Sequence, residues 1–354
     1  MEKLIKEICI SQNGTLLDAL RQMDRLARKL LIVVDDNDKY VSMISIGDIQ
    51  RSIIANMELT NQIFKVVNKV DKIVAKPEDD LVAIKEKMFA IRAEFMPVVS
   101  KERTIKKVIF WSELFQVKER ITADLSLPVV IMAGGKGSRL KPITNVLPKP
   151  LIPIGEKTIL EEIMDRFVSA GCNRFLVSVN YKAEMIKHYF ETLNHPDYRI
   201  EYFQEGKPLG TAGSMYLLKG KINTTFFVSN CDILIDQYLD DICQYHKVNK
   251  NAITIVSALK HYRIPYGTIK TGENGALLSF SEKPELSFQI NTGMYLLEPE
   301  ILGEIPNNQF FHITDLIEKV KKSGRDVGVF PISEGSWKDI GEWSEYNKVI
   351  KRNA

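Results

Sequence analysis

Hydrophobic positions follow two different rhythms along this chain. Between residue 1 and about residue 124, helical spacing and short apolar runs alternate, and they do so twice. Thr15 followed by Leu16, Leu17, Leu20, Met23 and Leu26 predicts a capped amphipathic helix, and so does Asp80 followed by Leu81, Ile84, Met88 and Ile91. In the first copy a strand at Leu30–Val34, a turn at 35–39, a second strand at Tyr40–Ile46 and a closing helix from Asp48 come next. Leu16 and Leu81, Val33-Val34 and Val98-Val99, Asp48 and Glu113, and Ile49 and Leu114 are all 65 positions apart. A constant offset of that kind marks a duplicated unit, with repeats at about 1–60 and 61–124.

From Pro128 onward the rhythm changes. Val129-Val130-Ile131-Met132-Ala133 is an uninterrupted apolar run, as a strand covered on both faces of a parallel sheet requires. Residues 121–127 read as a linker, which makes 125–354 a second domain of α/β type. A chain of 354 residues is long enough for two cores.

Charge narrows the partners. The formal net charge is +3, and residues 1–124 hold 21 basic against 19 acidic side chains, so no basic tail for nucleic acid is expected. The start of the chain lacks a cationic head followed by an apolar stretch, and no run reaches the ~18 apolar residues of a membrane span. These features predict a cytoplasmic protein. Cys9, Cys172, Cys231 and Cys243 show no paired spacing, which predicts buried free thiols. The five histidines form no ligand spacing.

The duplicated β-α-β-β-α unit resembles a tandem pair of cystathionine-β-synthase-type (CBS) domains. Ser45-Ile46-Gly47-Asp48 matches that family's Ser/Thr-x-x-Asp, and the resemblance implies a regulatory adenine nucleotide with its phosphate at Ser45 and its ribose at Asp48. The second copy departs from this, with Phe110 and Glu113 at the corresponding places. Pairing or packing without any ligand is the plainer alternative.

The second domain carries the chemistry. Gly134-Gly135-Lys136-Gly137-Ser138-Arg139 offers unshielded backbone N–H groups and a guanidinium to phosphate oxygens. Leu140, Pro142, Thr144 and Pro148-Lys149-Pro150-Leu151-Ile152-Pro153-Ile154 follow, and the whole string is similar to the signature of sugar-1-phosphate nucleotidyltransferases. Further landmarks recur in order: Gln204, Leu209-Gly210-Thr211-Ala212-Gly213, Phe226–Asp232, Tyr266-Gly267, Glu282-Lys283, Asn291-Thr292-Gly293 and Trp337–Gly341. The resemblance implies a Rossmann-like domain with a mixed, mainly parallel sheet of the GT-A-like kind.

It also implies roles. Ala133, Gly134, Gly135, Gly137, Ser138, Gln204, Gly210 and Thr211 would bind the NTP, with Arg139 at the β- and γ-phosphates and Lys149 at the α-phosphate. Gly267, Glu282, Lys283, Asn291 and Thr292 would bind the sugar phosphate, and Asp232 and Asp339 would hold Mg2+. Cys231 stands where the family usually has glycine. Independently of the resemblance, an anionic phosphate attacking another phosphate needs cations around it and no protein nucleophile, since the attacking group is already ionised near neutral pH.

A CBS pair ahead of such a domain resembles a bacterial subgroup of glucosamine-1-phosphate guanylyltransferases in legionaminic acid synthesis. GTP and glucosamine 1-phosphate are therefore the expected substrates. Mannose or heptose 1-phosphate, another NTP, and a non-catalytic nucleotide sensor are the alternatives. A homo-oligomer is expected.

Overall fold

The computed structural model describes residues 2–67, 74–90, 93–110 and 124–353. The chain separates into two compact units, Met1–Ile121 and Thr122–Ala354. Ile91, Glu113, Leu114 and positions 121–123, all used in the sequence reading, lie outside the described residues.

The first unit opens with α1 (Glu2–Glu7), β1 (Cys9–Ser11) and α2 (Leu16–Leu26). Thr15 caps α2 through a reciprocal pair with Asp18: the Asp18 N–H donates to the Thr15 hydroxyl, and the Thr15 N–H donates back to the Asp18 carboxylate. Next come β2 (Leu30–Val34), β3 (Tyr40–Ser45) and α3 (Ile46–Ile54). The closing helix thus starts two residues before Asp48, because Ser45 is its N-cap. The sheet runs β1-β2-β3, with β1 parallel and β3 antiparallel to β2.

The second copy supplies α4 (Leu81–Ala90), β4 (Phe95–Val99) and β5 (Ile105–Phe110). Ile10 pairs with Val33 in the first copy, and Ala75 bridges Val98 in the same parallel sense in the second. Equivalent positions also meet across the two copies. The Lys29 N–H donates to Glu94 at 3.1 Å, and Lys39 Nζ donates to Thr104 at 2.8 Å. Leu30, Ile32, Phe95 and Val108 share one buried core, so neither repeat has to close its sheet alone.

The second unit begins with β6 (Val129–Met132). Of the predicted linker, Leu125 and Leu127 already pack on this unit's core, and the Leu125 N–H donates to Ala170 O. There follow β7 (Pro153–Ile154), β8 (Lys157–Thr158), α5 (Ile159–Val168), β9 (Arg174–Val179), α6 (Ala183–Leu193) and β10 (Arg199–Gln204). The chain continues through β11 (Phe226–Asn230), β12 (Ile233–Ile235), α7 (Leu239–Val248) and β13 (Ile253–Arg263). A hairpin of β14 (Thr268–Thr271) and β15 (Leu277–Ser281) precedes β16 (Glu285–Leu297), α8 (Ile313–Lys322), β17 (Val327–Ser333), β18 (Trp337–Asp339) and α9 (Trp343–Asn353).

Seven strands form one sheet in the order β10-β9-β6-β11-β16-β13-β17. Only β16 runs antiparallel to its neighbours, so the sheet is mixed and mainly parallel. Successive residues face opposite sides. Val129, Ile131 and Phe227 join α5, α6 and α7 in one core, while Val130, Phe226 and Val228 join α8 and the turns at Gly213–Leu218 and Pro299–Glu304 in the other. After β6 the chain moves to β9 on one side, and β11 later takes the other side. Such a reversal opens a crevice at the carboxyl ends of the strands, where open α/β sheets bind ligands.

Candidate active site

The glycine loop leaves β6 at this crevice. Gly137 has φ +62°, and a Cβ there would lie 2.9 Å from Thr144 Cγ2 and 3.0 Å from Lys149 Cβ. Only glycine suits that place, on backbone conformation and on space alike. Thr144 Oγ1 donates to Gly137 O at 3.0 Å, and short helical turns at Ser138–Leu140, Ile143–Asn145 and Lys149–Leu151 bring the chain back beneath the loop. Lys149 is thereby buried, while Arg139 keeps more than half of its side chain in solvent.

The Lys149 ammonium donates to Asp232 Oδ2, and Arg139 Nη2 lies 3.9 Å from the same oxygen. Asp232 follows β11, the strand next to β6. The antiparallel pairing of β12 with β18 sets Ile233 opposite Asp339, and Ile340 N–H donates to Asp232 O at 2.7 Å. Asp339 Oδ1 accepts from Gly341 N–H at 2.7 Å. A Cβ on Gly341 would lie 2.6 Å from Asp339 Oδ1 and 3.1 Å from both Asp232 Oδ2 and Arg139 Nη2. Two carboxylates and the guanidinium therefore converge on one point beside the glycine loop, with the Lys149 ammonium on the Asp232 oxygen.

Two carboxylates completed by phosphate and water oxygens are the donor set that magnesium takes from proteins. The ammonium and guanidinium now gathered at Asp232 already occupy a place for positive charge, so these residues fit the ion. Among the described residues, no group of three or more His, Cys, Asp or Glu side chains is gathered as a metal cage.

Burial and the neighbouring Asp232 push the Cys231 thiol up to about 12, so it stays protonated and takes no part as a nucleophile. Cys172 is likewise buried, whereas Cys9 and Cys243 are only half-buried, which corrects the expectation that all four are buried.

The predicted nucleotide-base segment is held by its surroundings. Gly210 has φ +81°, and its missing Cβ leaves room for Phe311 O at 2.8 Å; Ala212 and Gly213 N–H both donate to that carbonyl. Glu205 accepts from Leu209 N–H through one oxygen and from Asn180 Nδ2 through the other, at 3.0 and 3.2 Å. Asn180 in turn packs on Gly134. Gln204 is exposed at the end of β10. Thr211 Oγ1 accepts from Ile313 N–H at the start of α8.

The predicted sugar-facing residues belong to β13, β16 and their hairpin. Gly267 lies against the Phe280 ring and Glu282. Glu282 and Lys283 are exposed, and among the described residues no hydrogen bond or ion pair ties them to Asp232 or Asp339. A bulge between Ile255 and Ser257 interrupts the β13–β16 register opposite Thr292. The buried Thr292 hydroxyl donates to Val256 O and accepts from Met294 N–H, so it holds this bulge. Asn291 Nδ2 donates to Tyr295 OH at 2.7 Å. Gly293, at φ +86°, lets the Asn230 side chain cross it.

Sequence reasoning passed over Glu205, Asn180, Glu342 and Trp343. Arg139 Nη1 donates to Glu342 at 3.2 Å, and Trp343 Nε1 donates to Lys141 O at 2.9 Å. No spacing links these partners, which lie about two hundred residues apart in the chain.

The profile of the nucleotidyl transferase family matches residues 128–354. The chain belongs to the nucleotidyl transferase family. Residues 4–55 match the CBS domain profile. The chain is 32% identical over 244 residues to a UTP–glucose-1-phosphate uridylyltransferase of Synechocystis, covering 64% of this chain and 63% of that protein. It is 30% identical over 234 residues to a mannose-1-phosphate guanylyltransferase catalytic subunit beta of Drosophila melanogaster, covering 61% of this chain and 60% of that one. The chain thus spans less than two thirds of the length of these two curated relatives. HddC from Yersinia pseudotuberculosis superimposes with a TM-score of 0.52 at 25% identity, over 64% of this chain and all of that one. Among the described residues no helix is long and apolar enough to cross a membrane.

The Ser45–Asp48 site resolves differently. The Asp48 N–H donates to the Ser45 hydroxyl, Asp48 Oδ2 accepts from Ser45 N–H at 2.8 Å, and Asp48 Oδ1 accepts from Arg51 Nη2 at 2.7 Å. Thr15 and Asp18 make the same reciprocal cap. The motif is therefore a capping box in this structure.

Proposed function

We propose that this protein transfers a guanylyl unit from GTP to a sugar 1-phosphate and releases pyrophosphate. An oxygen of the sugar phosphate forms the new bond to the α-phosphorus as the bond to the bridging pyrophosphate oxygen breaks. No proton has to leave the nucleophile, because that phosphate is already ionised. The observation that carries the reading is the convergence of Arg139, Lys149, Asp232 and Asp339 beside the glycine loop.

In this reading the backbone from Ala133 to Ser138 receives the triphosphate, Arg139 meets its β- and γ-phosphates, and Lys149 turns from Asp232 to the α-phosphate. Gln204, Gly210 and Thr211 receive the base. Gly267, Glu282, Lys283 and Asn291 receive the sugar phosphate, with Thr292 shaping the bulge. Asp232 and Asp339 would hold Mg2+, which supplies charge neutralisation between phosphate oxygens when bound. Everything else asked of the protein is alignment and electrostatics.

Guanine is favoured by the mannose-1-phosphate guanylyltransferases among the relatives. For the sugar, glucosamine 1-phosphate is favoured by the fused tandem module and mannose 1-phosphate by those relatives. Pyrophosphate release measured with four NTPs against a panel of sugar 1-phosphates tests the whole reading. Turnover with GTP and one of these two sugars is expected, and no release with any pair would favour a nucleotide sensor. An adenine nucleotide at Ser45 and Asp48 would have to replace the helix cap and the Arg51 contact. Regulation through that place therefore means remaking the start of α3, and calorimetry with ATP, ADP and AMP reports it.

A further inference from the structure

Asn180, Tyr181 and Lys182, in the turn after β9, take no part in the proposed transfer, yet all three reach the glycine loop or the chain that supports it. Strands β10, β9 and β6 are neighbours and parallel, with Gln204 opposite Val179 and Met132 opposite Ser178. One residue past β10 and two past β6, the same register brings Glu205 and Gly134 to either side of Asn180. The side chains follow it. Asn180 Nδ2 donates to Glu205 Oε1 at 3.2 Å, and a Cβ on Gly134 would lie 3.3 Å from Asn180 Cβ.

The loop is gripped at its other end as well. Tyr181 OH donates to Thr144 O at 3.1 Å, and the Thr144 hydroxyl donates to Gly137 O at 3.0 Å. Lys182 Nζ donates to Asn145 O and Val146 O at 2.7 and 2.6 Å, at the end of the short turn Ile143–Asn145, where helical carbonyls lack partners. Lys182 itself has φ +54°, a left-handed conformation that a residue with a side chain keeps only where its surroundings hold it. Glu205 carries the grip to the predicted base segment, because its second oxygen accepts from Leu209 N–H at 3.0 Å. Leu209 O then accepts from Phe311 N–H, and Phe311 O accepts from Ala212 and Gly213.

We propose that Asn180, Tyr181 and Glu205 are positioning residues of the nucleotide site, a clamp that holds the loop for the triphosphate and the segment for the base at one fixed separation. The ligands named here rest on the proposed function, whereas the clamp rests on the contacts alone. Base and triphosphate belong to one molecule, so two subsites free to drift apart must be brought into register at the cost of binding energy, and a clamp removes that cost beforehand. Among the described residues no hydrogen bond joins the clamp to Gly267, Glu282, Lys283, Asn291 or Thr292. Loosening it therefore weakens the nucleotide and spares the acceptor.

Reversing the polarity of the central pair tests this. In Asn180→Asp two carboxylates face each other. When Glu205→Gln is added, the carboxamide at 205 can donate to the carboxylate at 180 while its oxygen still accepts from Leu209 N–H. With GTP and the sugar 1-phosphate that the wild type uses, Asn180→Asp should raise the GTP KM about tenfold, as loss of a hydrogen bond to a charged group does, with the acceptor KM within about twofold and the double variant back within about threefold of the wild type. Equal rises in both KM values, or a double variant no better than Asn180→Asp, would overturn the proposal.

Hydrogen exchange of the ligand-free chain keeps the clamp separate from the reading of the reaction. Asn180→Asp should speed exchange at both 134–138 and 209–213, and the double variant should restore both. A change confined to one segment would refute the clamp even where GTP is turned over, and the coupled change would support it even where no NTP is. Should Asn180→Asp fail to fold, Tyr181→Phe decides: faster exchange at 134–138 and a GTP KM raised about threefold at unchanged acceptor KM are expected, and wild-type values for both would refute the proposal.

Discussion

The signature cluster at the crevice and the Ser45–Asp48 turn were read from sequence in the same way, as residue types at a set spacing, and the structure treats them oppositely. Asp48 and Ser45 are three residues apart and satisfy each other at the start of α3. Lys149 and Asp232 are 83 residues apart, with Asp339 brought in by a third segment, and they meet only because the fold carries them there. A local motif has a local explanation available in helix capping. A cluster assembled from distant segments, with two carboxylates and a guanidinium about one point, has no such local explanation, which is why the proposed chemistry is placed there.

Substitution at Asp232 should cost the most. Asp232→Asn should lower turnover by about 10²-fold or more, in the range that loss of one preorganised electrostatic group produces, with little change in melting temperature. Near-normal pyrophosphate release would remove the carboxylate from the chemistry. A Cβ at Gly341 would press on Asp339, Arg139 and Asp232, whereas one at Gly47 would crowd the flexible Arg51 guanidinium tip at 3.3 Å and make an ordinary contact with Ser45 Oγ at 3.6 Å. Gly341→Ala is therefore expected to lower kcat by about tenfold, one to two kcal/mol of misplacement, and Gly47→Ala to leave kcat unchanged; steady-state kinetics on the two variants distinguishes them.

At the caps, Asp48→Ala and Asp18→Ala should each cost about 1 kcal/mol of stability, read as similar shifts in urea midpoint. A much larger loss at Asp48, or loss of a measurable nucleotide affinity with it, would return that position to ligand binding. The smallest effect is alkaline. Because the Cys231 thiol is pushed up to about 12 by burial and Asp232, the folded state keeps its proton while the unfolded chain loses it above about pH 9. That contribution is full below pH 9 and is lost progressively as pH rises toward 12. Between pH 8 and pH 10 the wild type should lose about 1 kcal/mol more stability than Cys231→Ala, measured by urea denaturation at the two pH values.

Much of the fold was legible in the sequence because its strands are buried on both faces, so Val129–Met132 reads as a continuous apolar run. The duplication was legible through the offset of 65 and reappears in the Ile10–Val33 and Ala75–Val98 pairings. Gly137 was legible as a loop residue, though its reason, the close approach of Lys149 and Thr144, was not. Glu342 and Asn180 were invisible because their partners come from other strands and loops, and Glu205 because a single carboxylate has no spacing to betray it. Thr292 shows the converse: a motif position whose hydroxyl turns out to secure a bulge.

The claim tested most directly is that Asp232 and Asp339 act together on one ion beside the nucleotide. Manganese binding to the GTP complex, followed by electron paramagnetic resonance for the wild type, Asp232→Asn and Asp339→Asn, reports it without turnover. The account predicts that either substitution alone weakens manganese affinity by tenfold or more, while an unaltered affinity in either variant would contradict it.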